Sequence, residues 1–185
     1  MKRNIFCQYT KQLLGGCLIF FVQSCGTSSI VIEGQYPSPN VTKIPLSIGV
    51  IYPQELIDFN YVEYSEIGEE EYRVQSGQSH RDLFDALLPS MFEKVVVLDS
   101  IESAVSQEVD IVFLPAIEEF QLALPSKTKL DVFEVWVKYN LRISDSEGEG
   151  IADWILTSYG KTPTRTMRSV ENSINQAAVV ALRDF

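Results

Sequence analysis

The chain has 185 residues, about the size of one domain, and carries 25 acidic side chains against 15 basic ones, a formal net charge of −10. That balance disfavours nucleic-acid binding and charge-driven attachment to an anionic lipid surface, because both need a basic face. With 45% hydrophobic residues there is enough apolar material for a core without covalent staples.

Lys2, Arg3 and Lys11 precede the first acid, Glu33, and an apolar run covers residues 13–22. That run is too short for the roughly 20 residues a spanning helix needs, and it suits a signal-peptide core. Val22-Gln23-Ser24-Cys25 follows, with an aliphatic residue at −3 and a small one at −1. This resembles the lipobox of bacterial lipoproteins. The resemblance implies a signal peptide over residues 1–24 and covalent diacylglycerol and acyl chains on Cys25, with no other cofactor. Two or more chains hold a protein on a membrane where one binds only marginally. Gly26 at +2 is not Asp, which by the same resemblance points to the periplasmic face of the outer membrane. Leu14-Gly15-Gly16-Cys17 is a rival match, but no apolar core precedes it. An ordinary cleaved secretory signal or a buried helix is the plainer alternative. Losing residues 1–24 removes three of the 15 bases and no acid, leaving 12 against 25 and a charge of −13. Cys7 and Cys17 leave as well. With Cys25 lipidated, the mature domain keeps no thiol for a disulfide, a redox site or a zinc site.

Residues 25–43 hold Ser28, Ser29, Gly34, Pro37, Ser38, Pro39 and Asn40 and are expected to form a flexible tether. Ile30-Val31-Ile32 is the stretch of it that suits a short strand. The folded domain is expected over 44–185, opening on a buried strand at 44–52. Weaker strands at 56–65 and 71–75 flank a turn at Gly68. The acids Glu66, Glu69, Glu70 and Glu71 lack the alternating spacing of a calcium loop, so a solvated turn is expected there. A helix over 79–92 places Leu83, Phe84, Leu87, Leu88, Met91, Phe92 and, just beyond it, Val95 on one stripe, with Pro89 inside it. His80, the single histidine, is expected on the surface at the helix start. Short buried strands follow at 95–98 and 110–115, in one sheet and separated by a short helix at 100–107. Pro115 implies an edge or a bulge.

Residues 132–144 alternate strictly. Phe133, Val135, Val137, Tyr139, Leu141 and Ile143 take one face; Glu134, Trp136, Lys138, Asn140 and Arg142 take the other. Residues 145–150 turn the chain, and 151–159 return as the hairpin partner. Trp136 and Trp154 then fall on paired strands, as a cross-strand packing pair or as a binding hot spot. Lys161, Arg165 and Arg168 lie in a basic stretch, 161–168, expected to be a loop and a possible contact for a phosphate or an acidic partner. Ser169 is placed to cap a last helix whose apolar stripe is Val170, Ile174, Ala177, Ala178, Ala181, Leu182 and Phe185.

The expected fold class is α+β: a mixed, mainly antiparallel sheet with two main helices packed on one face. The run 135–141, the glycine-bearing turn, residues 154–160 and the helix over 169–185 resemble small bacterial envelope lipoproteins, namely the YajG-like, LptE-like and ABC-transport auxiliary groups. That resemblance implies a non-enzymatic, lipid-anchored accessory or adaptor. It implies a membrane held through the anchor, an envelope protein as partner and no nucleic acid. A periplasmic lipid- or glycolipid-binding module is the alternative. The chain has no Gly-x-Ser-x-Gly elbow and no phosphate-binding glycine loop, so no catalytic and no metal-binding residue is assigned.

Overall fold

The computed structural model describes residues 26–184. The expected signal peptide, the lipidation of Cys25 and the role given to Phe185 lie outside the described residues.

The alternation at 132–144 becomes β7 (Val132–Asp145), with Phe133, Val135, Val137, Tyr139 and Leu141 all buried. Its antiparallel partner β8 (Gly150–Pro163) follows it along its whole length. The return strand is therefore longer than expected. Lys161 is a strand residue opposite Glu134 rather than part of a loop. On the other side of β7 lies β6 (Ile111–Ala123). β2 (Ile44–Val50) runs parallel to β6 and to β5 (Phe92–Val97), completing a sheet of order β5-β2-β6-β7-β8. The two short strands expected in one sheet are thus both present, with β2 between them. β2 pairs with β6 only at Ile111, Val112 and Phe113. Beyond that point no strand among the described residues pairs with that side of β6, and Pro115 sits there opposite Leu141 without costing a ladder bond.

Two main helices cover one face of this sheet, as the fold class required. α2 (Gly77–Met91) packs Phe84 edge-on against Phe113 and Tyr139, at centroid distances of 5.4 and 5.8 Å. Pro89 lies in its last turn. The missing amide leaves only the carbonyl of exposed Asp85 without a helical partner. α5 (Val170–Arg183) starts as predicted: the Ser169 hydroxyl accepts from the Asn172 amide at 3.2 Å, a cap worth about 1 kcal/mol. Ile174, Ala177, Ala178, Ala181 and Leu182 are buried; Val170 is partly exposed.

A second, smaller sheet replaces part of the single sheet expected. β1 (Gly26–Val31) runs parallel to β4 (Glu70–Gln75), and β4 pairs antiparallel with β3 (Asn60–Tyr64). Side chains rather than a hydrogen-bond ladder join it to β6: the rings of Phe59 and Tyr61 meet Phe120 at a tilt, with centroids 5.6 and 5.1 Å away. Leu56, expected in a strand, lies in the single turn α1 (Gln54–Ile57). The start of the expected tether is also structured. Ile30 and Ile32 are buried, a gain of roughly 2 kcal/mol each, and this holds β1 in the sheet. The remainder, up to residue 43, forms no helix or strand, but Glu33 exchanges two hydrogen bonds with the Asn175 side chain.

Among the described residues, the opposite face of the large sheet is covered only near β2. There α3 (Ser103–Ser106) closes a small cluster of Leu98, Ala104, Val109 and Val112. The single turn α4 (Pro125–Thr128) links β6 to β7.

Candidate functional site

β8 turns Asp153, Ile155, Thr157, Tyr159 and Lys161 outward, in register with Arg142, Asn140, Lys138, Trp136 and Glu134 of β7. Trp136 is 50% exposed, large for a tryptophan, and meets the ring of Tyr159 edge-on at 6.3 Å. The Tyr159 hydroxyl donates to the Glu134 carboxylate, which raises the phenol's pKa and fixes the ring. Lys138 pairs with Glu118 at 2.8 Å, and Arg142 lies 3.7 Å from Asp153. Glu118 also accepts from the Asn140 amide; the hydrogen bond from Lys138 is the main cause of its lowered pKa. These exposed pairs add little stability, but they leave an ordered polar field around one aromatic platform.

Trp154 does not belong to this platform. It stands opposite Leu141 on the helix-covered face, while Trp136 stands opposite Tyr159 on the other. The two tryptophans are therefore not a packing pair. Trp154 instead forms one wall of a cavity of about 300 Å³ between α2 and the sheet, lined only by apolar side chains that include Ile44, Leu87, Leu88, Met91 and Ile143. Ile44 and Trp154 are 40% and 42% exposed at its rim.

The three bases of 161–168 do not converge. Lys161 faces outward beside Glu134. Arg165 is exposed in the connection to α5, and Arg168 lines a separate cleft with Ser65, Glu70 and Ser169.

His80 is fully buried rather than at the surface. Nε2 lies 3.0 Å from the Ser76 hydroxyl, and Nδ1 meets the Tyr139 hydroxyl. A neutral imidazole donates at one nitrogen and accepts at the other, so two hydroxyls satisfy it. Burial alone lowers its pKa to about 3. Serine, histidine and tyrosine in contact look like a catalytic array, but no substrate atom can reach a side chain with no exposed surface. Its role is to order the core.

Sequence reasoning put Glu134 on the open face with Trp136 and offered a groove between helices and sheet, but it did not set Tyr159 beside Trp136 or Trp154 on the cavity. Tyr159 was readable only with the hairpin register, which the turn sets. The acids near Gly68 have separate partners: Glu66 meets Lys129, Glu71 meets Arg73, and Glu70 accepts from Tyr72. Among the described residues no group of three His, Cys, Asp or Glu is placed to hold a metal, and no helix is long and apolar enough to cross a membrane.

No family model and no curated protein matches the chain. Several solved structures are similar in layout. A hypothetical protein of Chlamydia trachomatis is 12% identical with a TM-score of 0.43, over 75% of this chain and 89% of that one. A minor lipoprotein of Acinetobacter baumannii is 11% identical with a TM-score of 0.40, over 77% and 86%. Lipoprotein GNA1162 of Neisseria meningitidis is 13% identical with a TM-score of 0.32, over 73% and 96%. No residue's role is carried across at this distance.

Proposed function

We propose that the chain is a lipid-anchored, non-enzymatic envelope protein that serves as an accessory or adaptor for a transport or assembly complex. The observation that carries this reading is the half-exposed Trp136, held against Tyr159 on a part of the sheet face that, among the described residues, no helix covers. Tryptophan and tyrosine ringed by polar groups make the usual centre of a protein-binding patch. The anchor is the lipobox cysteine, Cys25, on the periplasmic side of the outer membrane. β1 begins at Gly26, so such an anchor would hold the domain close to the bilayer with no slack. β1 packs beside Glu171 at the start of α5, near the Phe133 end of β7. Rows opposite Trp154 lie eight residues further along β7, about 26 Å away.

The test is an in-cell crosslink and pull-down of the full-length protein through a C-terminal tag, compared with Trp136→Ala. Expected neighbours are proteins of one transport or assembly complex, reduced at least tenfold by Trp136→Ala with no change in membrane retention or melting temperature. Equal recovery from both forms would overturn the assignment of the platform.

The apolar cavity beside Trp154 favours a second reading, a lipid- or glycolipid-binding module. At about 300 Å³ it sits at the small end of the ligand-pocket range and suits part of an acyl chain. Recovery of the protein without neighbours, but with a lipid released by organic extraction, would move the assignment to this module.

A further inference from the structure

β8 ends the large sheet, and among the described residues no strand pairs with its outer edge. It is 14 residues long, and its only proline is the last residue. Monomeric proteins blunt such edges with short strands, prolines, bulges or charges; in β8 the proline and the register irregularity at 150–152 both lie at the strand's ends, leaving 153–161 regular. Here the two charged side chains of the strand, Asp153 and Lys161, are of opposite sign and share one face. Thr157 lies midway between them.

That spacing has a consequence for self-pairing. Lay a second copy of β8 antiparallel along the first, with the two-fold axis at Thr157. Asp153 then stands opposite the second copy's Lys161, and the same pair recurs on the other side of the axis. Ile155 stands opposite Tyr159, and Thr157 opposite itself. An opposite-charge pair, a β-branched–aromatic pair and a Thr–Thr pair are the cross-strand combinations that favour antiparallel ladders. Moving the register by two residues either way separates both charge pairs, and moving it by one puts outward residues on the covered face. The order across the junction also fits. Glu134 neighbours Lys161, and Asp153 neighbours Arg142, so the row reads Glu134, Lys161, then Asp153 and Arg142 of the second copy. Charge alternates across four strands.

We infer that the free edge of β8 is a self-pairing surface, through which two copies of this chain join their large sheets into one about Thr157. A two-fold axis perpendicular to the sheet is the closed symmetry such an isologous contact requires. It leaves both Trp136 platforms on one face. Both β1 strands, which pack with α5, lie on the other face, so two lipid anchors can reach the same bilayer.

The experiment uses full-length protein in membranes, with single cysteines on β8 and mild oxidation. Thr157→Cys is expected to form a disulfide-linked dimer in high yield, since the two-fold axis places that position against its own copy. Ile155→Cys alone should crosslink at least tenfold less, while a mixture of Ile155→Cys and Tyr159→Cys chains should crosslink with each other. Wild-type chain gives the background. Sedimentation of the detergent-solubilised protein supplies the second measurement. Asp153→Lys and Lys161→Asp should each weaken self-association at least tenfold, and an equimolar mixture of the two variant chains should associate more tightly than either variant alone. The proposal is overturned if Thr157→Cys and Ile155→Cys crosslink alike, if neither exceeds background, or if the mixed charge variants associate no better than either variant alone.

Discussion

Gly160→Val is expected to remove most of the domain's stability. Gly160 lies on the helix-covered face of β8, opposite Val135. A Cβ there would stand 2.1 Å from the Ala177 carbonyl oxygen and 2.3 Å from the Ala181 amide nitrogen. Both are backbone atoms of α5, so no rotamer change relieves the clash. The helix must lift off the sheet and uncover Ile174, Ala178 and Leu182. Overpacking a core commonly costs 1–3 kcal/mol, and a backbone obstacle sets the cost here at about 3 kcal/mol or more. Total stabilities of such domains are about 5–15 kcal/mol, so the midpoint of urea unfolding should fall steeply. Gly150→Val is the control. It lies on the same strand, where an added Cβ meets nothing within 4 Å, and should change stability by less than about 0.5 kcal/mol. Equal behaviour of the two variants would contradict the seating of α5 on β8.

His80 carries the second large effect. His80→Ala removes a buried ring that touches Phe59 and Tyr139 edge-on at 5.7 and 5.5 Å. It also strips a hydrogen-bond partner from the Tyr139 hydroxyl, whose own pKa burial pushes well up. The cavity and the lost hydrogen bond together are expected to cost about 4 kcal/mol. The same burial makes stability depend on pH. The folded state holds His80 neutral down to about pH 3, while the unfolded chain takes the proton near 6.5. The unfolded state therefore binds more protons as pH falls, and stability drops through the window from 6.5 towards 3. Between pH 6.5 and 5, before most carboxylates titrate, the loss should approach about 2 kcal/mol. His80→Gln does not titrate and should lack this fall. Parallel pH profiles for the two proteins would show that His80 is not buried neutral.

The parts legible from sequence are those set by local period. Strict alternation over β7 put Phe133 to Leu141 on the buried face and Trp136 on the open one. Ser169 marked the start of α5 because a serine at that place satisfies an amide that the helix leaves free. The parts that were not legible depend on long-range pairing. Trp154 follows the hairpin register, and a bulge between Ile143 and Ser144 shifts that register beside the turn. β1 owes its place to β4 and α5, both distant in the chain, so serine and glycine content alone read as tether. His80 did leave a signal. It stands three, four and seven residues before Leu83, Phe84 and Leu87, on the apolar stripe itself, and the polarity of the side chain outweighed its position.

The most direct measurement places a photoreactive amino acid at position 138, beside Trp136 on the open face, and at position 85 on the exposed side of α2, in full-length protein in living cells. Position 138 is expected to give adducts with proteins of one envelope complex, and position 85 to give none. Adducts with that complex only from position 85, or adducts with lipid alone from both positions, would contradict a partner docked on the Trp136 face.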